Sequence, residues 1–433
     1  MKKSYFLVSL AACLLTISLG TGNAADWPEF RGPDGSAVSD ATNIPAEWSE
    51  TENLIWKTKM PGMGASSPIY VGGKIYLTAY SGYGQNKDNP GEMEKLVHHA
   101  LCYDMDGKLV WEKKSRAGLP DTEYRGFMPL HGYASSTPAS DGNLVYFFFG
   151  RAGVYARNPE TGELVWSKNV GEGTHGWGSA TSLILYKNLV IVNASIESEA
   201  VIALDKKTGK EVWRLGGIKK SWSTPALVKT ADGKTELVVS LAYEAWGVDP
   251  DTGEKLWWCS AVPDDYVCPA VVANDGVAYV FGGRKPRSVA IRPGGKGDVS
   301  ETHVLWESNA STKVPTPVYS LGYLYWIDQG GMARCLDAKT GEEVYTERLE
   351  LAGSGERLYG SPIIVDGKYI NASREDGVVV LAVPTAAGEK PEFKVLARNY
   401  FADDTSVSNA TPAMADGKLI LRSDAYLYCI GKK

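Results

Sequence analysis

The sequence predicts an all-β fold, an eight-bladed β-propeller of four-stranded antiparallel blades whose last blade is closed by a strand from near the N-terminus. Three observations carry that expectation. First, a strand-and-turn sentence recurs, clearest in Ala203-Leu204-Asp205-Lys206-Lys207-Thr208-Gly209 leading to Trp213 and in Val248-Asp249-Pro250-Asp251-Thr252-Gly253 leading to Trp257. Second, a small residue, usually followed by proline, marks a strand start at Ser67-Pro68, Thr137-Pro138, Thr181-Ser182, Thr224-Pro225, Cys268-Pro269, Thr316-Pro317, Ser361-Pro362 and Thr411-Pro412. From 138 these marks step by 44, 43, 44, 48, 45 and 50 residues, the period of a four-stranded blade. Third, the final copy stops after three strands, while Asn53-Leu54-Ile55-Trp56-Lys57 is an orphan fourth strand. Pairing the two removes the open edges an unclosed sheet would expose.

Residues 1–24 read as an export signal, with Lys2 and Lys3, an apolar stretch from Phe6 to Leu19 and the small-residue site Gly22-Asn23-Ala24. The stretch is short for a membrane span. Leu10-Ala11-Ala12-Cys13 matches a lipoprotein box, but cleavage there would strand Leu14 to Leu19 on the mature chain, so plain export is the expectation. Residues 25–52 are expected to cap the ring and 53–57 to close it, within one domain over 25–433. Each blade then opens with a short apolar strand, where a leading proline costs no ladder hydrogen bond. A turn such as Asp366-Gly367 or Asp416-Gly417 leads into the second strand. The third ends at Asp-x-x-Thr-Gly, where Asp bonds the following amides and Gly takes positive φ. The fourth carries an aromatic, Trp111, Trp166, Trp213, Trp257, Trp306 and Tyr345, joined by Trp56 of the closing strand. A large ring at one place per blade suits a wedge between blades, burying roughly 150–250 Å².

The whole chain has a net charge of −6; without residues 1–24, 43 basic residues stand against 51 acidic ones, a charge of −8. That balance argues against nucleic acid as partner, and no second apolar run reaches membrane length. Cys102, Cys335 and Cys429 occupy one place in three blades and read as small buried hydrophobes. Cys259 and Cys268 flank one connection between blades, close enough in sequence for a disulfide in an oxidising compartment.

The repeated Asp-x-x-Thr-Gly-x-x-x-Trp motif resembles the PQQ-like repeat, found in quinoprotein alcohol dehydrogenases and in BamB-type outer-membrane assembly lipoproteins. The resemblance covers essentially the whole mature chain and is specific for fold far more than for activity. Trp27-Pro28-Glu29-Phe30-Arg31-Gly32-Pro33 is also similar to the N-terminal segment of many secreted proteins of this repeat family.

One face of a propeller carries the loops between second and third strands together with the connections between blades. Blade one has long insertions in both, 81–99 and 113–133, expected to form a lip beside the channel mouth. His98 and His99 fall in the first and read as exposed loop residues. The connections carry His131 and Tyr133, His175 and Trp177, Lys220 and Trp222, Asp264 and Asp265, Lys313, Arg357 and Tyr359, and Asp403 and Asp404. These residues are expected to line the funnel with mixed charges and rings, a surface for a polar ligand, an extended peptide or a polysaccharide. The leading expectation is a non-catalytic envelope scaffold with no assured cofactor. The alternative implied by the resemblance is a dehydrogenase using PQQ and Ca²⁺, with Trp177, Trp222 and Trp246 as a floor and Asp264, Asp265, Asp403 and Asp404 as oxygen donors. The vicinal Cys-Cys pair of that family is absent, and no motif carries its catalytic residues over. Hydrolysis of polysaccharide would need two carboxylates at roughly 5–10 Å.

Overall fold

The computed structural model describes residues 26–351 and 358–432. The expected leader at 1–24, with Cys13, lies outside the described residues. Eight antiparallel sheets of four strands form the ring, and two of them carry a short fifth strand in parallel. Blade 1 is Ile69–Val71, Lys74–Ser81, Val97–Asp104 and Leu109–Arg116, running from the channel outwards. Blade 8 is Ala413–Ala415, Lys418–Arg422 and Tyr426–Ile430, completed by Leu54–Lys59 on its outer edge. The ring is therefore closed by the two ends of the described chain. Among the described residues no helix is long and apolar enough to cross a membrane.

The core is a series of apolar layers between neighbouring blades, and the repeated motif builds each joint. Trp56, Trp111, Trp166, Trp213 and Trp306 each donate their indole N–H to the second carbonyl of the next blade's turn, those of Met105, Pro159, Lys206, Pro250 and Ala338, at 2.8–3.0 Å. The motif glycine lies against the ring: a Cβ on Gly107, Gly162, Gly209, Gly253 or Gly341 would meet tryptophan carbons at 2.5–2.7 Å. Within its own blade, each aromatic opposes a small third-strand residue just before a bulge. These are Cys102, Ala156, Ala203, Gly247, Ala290, Cys335 and Cys429, opposite Trp111, Trp166, Trp213, Trp257, Trp306, Tyr345 and Trp56. The three cysteines are thus small fillers beneath a ring. Trp257 departs from the pattern, its indole N–H going to Glu236 Oε2 at 2.7 Å, and blade 7 puts Ala397 in the aromatic position.

Several expectations need adjustment. The innermost strands of blades 3 and 5 begin at Ile184 and Val272. The residues equivalent to Ser67-Pro68 are therefore Ser182-Leu183 and Ala270-Val271, and Pro269 stands two residues before its counterparts. In blade 1 the strands run on to Ser81, from Val97 and to Arg116, so the true loops are shorter than 81–99 and 113–133. His98 and His99 accordingly lie in a strand, each 1 % exposed rather than in solvent. His98 stacks on Phe149, and His99 bridges Ser81 Oγ at 2.7 Å and Glu112 Oε1 at 2.5 Å. Cys259 and Cys268 are free thiols and form no disulfide. Cys259 is buried in the layer between blades 4 and 5, whereas Cys268 belongs to the wall of the central channel.

The segment ahead of the closing strand does more than cap an edge. Trp27 bridges to Tyr70 of blade 1, Pro28 O accepts from Ser140 N of blade 2, and Glu29 Oε2 accepts from Leu185 N of blade 3. Arg31 reaches blade 6, donating to Thr316 O at 2.9 Å and Pro317 O at 2.7 Å. Val38–Ser39 then pairs in parallel with Ile364 and Val365 of blade 7. Five blades are thereby tied together across one mouth of the channel.

Candidate functional site: a cup on the ring axis

Because Trp27 to Arg31 crosses one mouth, the central channel becomes a cup of about 350 Å³ with Phe30 in its wall. That volume falls within the usual range for ligand pockets, roughly 300–1,000 Å³. The waist is made by the first residues of the blades. There the backbone N–H of one blade donates to the hydroxyl of the next: Ser67 to Thr137, Thr137 to Ser182, Ser182 to Thr224, Ala270 to Thr316, Thr316 to Ser361, Ser361 to Thr411 and Thr411 to Ser67, at 2.9–3.2 Å. Seven of the eight joints are closed this way. The eighth lacks its hydroxyl because Ala270 stands in that place. All seven hydroxyls lie in the cup wall.

Above the waist one arc is aromatic. Trp177 and Trp222 lie 4.9 Å apart between ring centres, Tyr266 meets Trp177 edge-on at 4.8 Å, and Phe127 closes on Trp177 at 5.3 Å. Trp222 is held by its N–H to Gly178 O at 2.7 Å. His131 ends the short helix Met128–His131, with Nδ1 2.9 Å from Ser135 Oγ. Burial holds its imidazole down to about 4, so it is neutral at physiological pH. Arg284 lies over Tyr266 at 5.4 Å, and Lys313, Tyr359 and Asn409 also line the wall. Among the described residues no aspartate or glutamate lines the cup.

Of the residues expected in the funnel, the structure brings His131, Trp177, Trp222, Lys313 and Tyr359 together in this wall. His175 stands behind it, its ring 4.8 Å from Trp222. Tyr133 turns away into a knot of tyrosines with Tyr80, Tyr83 and Tyr124. Asp264 is buried and accepts from Lys285 N at 3.0 Å, while Asp265 pairs with Lys220 at 2.8 Å and Arg284 at 3.1 Å. Asp403 pairs with Lys57 at 2.5 Å and Asp404 accepts from Tyr428 OH at 2.5 Å, both away from the cup. Arg357 lies outside the described residues. Sequence reasoning missed Phe30, Tyr266, Arg284 and the hydroxyl ring. A signal for the ring was present, since seven of the eight residues first marked before the strand starts are Ser or Thr; six of them are ring members, and the seventh, Thr181, directly precedes one.

A family profile described as the outer membrane protein assembly factor BamB matches residues 36–184 and 197–433. Among solved structures, BamB from Moraxella catarrhalis superposes with a TM-score of 0.58 at 11% identity, over 88% of this chain and 97% of that one. A europium-containing methanol dehydrogenase gives a TM-score of 0.63 at 12% identity, over 92% and 89%. The quinohemoprotein alcohol dehydrogenase ADHIIG from Pseudomonas putida HK5 gives 0.50 at 14% identity, over 84% and 76%. At these identities the likeness is one of fold. No curated protein sequence matches the chain.

Proposed function

Given that the chain belongs to the family described as the outer membrane protein assembly factor BamB, we propose that it is an exported, non-catalytic propeller of the cell envelope that holds a ligand, or a segment of a protein partner, in its axial cup. The observation that carries this reading is the cup itself, with Phe30 from the N-terminal segment, the rings of Trp177, Trp222 and Tyr266 and the cations Arg284 and Lys313 in its wall. Rigid aromatic rings offer large contact area at small entropic cost, and a few polar groups fix orientation. The test is capture from envelope extracts on immobilised protein, set against a Trp177→Ala/Trp222→Ala variant of unchanged melting temperature. A partner or small molecule retained by the parent and lost by the variant is the expected result; equal retention by both would remove the cup from the function.

The fold alone also admits a PQQ- and Ca²⁺-dependent dehydrogenase. The aromatic pair and the cations suit a planar acidic quinone, but the remaining donors do not fit that chemistry. Calcium takes six to eight oxygen ligands, with carboxylates prominent among them, and among the described residues this wall has no carboxylate. Among the described residues no group of three or more His, Cys, Asp or Glu side chains is placed to hold a metal ion. Asp264, Asp265, Asp403 and Asp404 are committed elsewhere, as described above. Titration with PQQ in the presence and absence of Ca²⁺ separates the readings: saturable binding abolished by EDTA would favour the dehydrogenase.

A further inference from the structure

The seven waist hydroxyls share a property that points to a ligand. Each accepts a backbone N–H from the neighbouring blade, yet none of the seven donates its own proton to an acceptor among the described residues. A hydroxyl carries one donor as well as its acceptor lone pairs, so the waist presents O–H donors toward the cup. Two cations stand at the wall, and one of them, Arg284, is paired from behind with Asp265. Lys313 and Arg284 line the wall above the waist, and among the described residues no acidic side chain does. Arg31 is buried next to Thr316, and among the described residues it donates to the carbonyls of Thr316, Pro317 and Gly35. No carboxylate pairs with Arg31 among the described residues. Burial pulls its guanidinium down to about 9, still protonated at neutral pH. A buried cation without a counter-charge is costly, and an anion in the cup would offset that cost. The donors of Thr316 and Ser361 and the cation of Lys313 belong to blades 5 to 7, and Arg284 joins them to the rings, lying over Tyr266 at 5.4 Å.

Resting on the cup as the binding site, we propose that it receives a ring-bearing acid. A carboxylate, phosphate or sulfate group seats against the Thr316 and Ser361 hydroxyls below Lys313 and Arg284. The ring that bears it packs on Trp177 and Trp222. An acidic sugar has this chemistry, its apolar ring face suiting indole and its acid group suiting the cations.

The experiment is a titration of the purified full chain, followed by tryptophan fluorescence and calorimetry, with glucuronate, glucose 6-phosphate, glucose, inorganic sulfate and inorganic phosphate. The sugar acids should bind saturably and at least about tenfold more tightly than glucose, with affinity falling as salt rises. Lys313→Met and Arg284→Met should each cost the sugar acids about tenfold and leave glucose unchanged. Thr316→Val should weaken them as well, and Trp177→Ala should weaken them while sparing the inorganic ions. Glucose bound as tightly as glucuronate, or indifference to both cation variants, would sink the acid requirement while leaving the cup reading in place. Inorganic ions matching the sugar acids, with no effect of Trp177→Ala, would reduce the site to a bare anion hole and overturn the proposal. Failure of every acid to bind would overturn it too, and the cup reading would then rest on the capture experiment alone.

Discussion

Gly209 has a φ of +68°, and a Cβ there would meet Trp166 Cε3 at 2.5 Å. The turn and the wedge therefore select the same residue for two reasons, backbone conformation and close approach. Gly209→Ala should destabilise the protein by about 1–3 kcal/mol, visible as a lower melting temperature in calorimetry; an unchanged transition would mean that the wedge tolerates displacement. Glu29 makes a second residue-scale case. Burial lifts its carboxyl to about 8, so it is largely protonated in the folded state at neutral pH. An acid whose folded pKa is raised contributes stability that is fully present below its unfolded pKa, near 4.5, and lost as pH climbs through the folded value. Glu29→Gln, which stays neutral, should therefore match the parent at pH 4 and melt at progressively higher temperature than the parent from about pH 5 to 8. Parallel pH profiles for the two proteins would refute this. Neither effect was legible from residue types alone: the glycine's place was, but the burial of Glu29 depends on blade 3 coming to meet it.

Among the elements, the innermost strands are knitted by the hydroxyl ring, and its gap at Ala270 offers a gain as well as a loss. Ala270→Ser should supply an acceptor for Thr224 N–H and add about 0.5–1 kcal/mol. Thr411→Val removes the acceptor for Ser361 N–H and should cost about 1–3 kcal/mol by leaving that donor buried and unpaired. Denaturant unfolding measures both, and a shift of the wrong sign for Ala270→Ser would show that the gap is already satisfied. The ring was half legible. Serine and threonine recur at the blade starts, and the period locates them within a residue or two. Whether they face the channel or the neighbouring strand is set by register: the displaced proline at 269 concealed that Ala270, rather than Cys268, occupies the ring position. The histidines of blade 1 show the same limit. Extra length between two strands can be spent as loop or as longer strand, and pairing from Lys74↔Asp104 out to Ser81↔Val97 put His98 and His99 in the sheet.

At the scale of the whole molecule, closure depends on Leu54–Lys59 pairing with Tyr426–Ile430, and the base of the cup depends on Trp27 to Arg31. Deleting residues 26–59 should leave blade 8 with three strands and an open edge, so the product should self-associate or aggregate on size exclusion; a monomer with the parent's melting temperature would show that closure is dispensable. The milder change Phe30→Ala should leave the ring intact while enlarging the cup, weakening whatever the cup holds without lowering the melting temperature by more than a few degrees.

The sequence by itself determined the number of blades, the aromatic joint and the closure of the last blade. Each of these is a local signal repeated at a fixed period, and repetition makes a weak signal unmistakable. Only the tertiary structure decided which polar residues share the cup, that Asp264, Asp265, Asp403 and Asp404 are bound up elsewhere, and that Phe30 enters the channel. A ring brings together residues hundreds of positions apart, and whether a side chain points at the axis or at its neighbour depends on strand register and on the path of one N-terminal segment, neither of which is written in any local pattern.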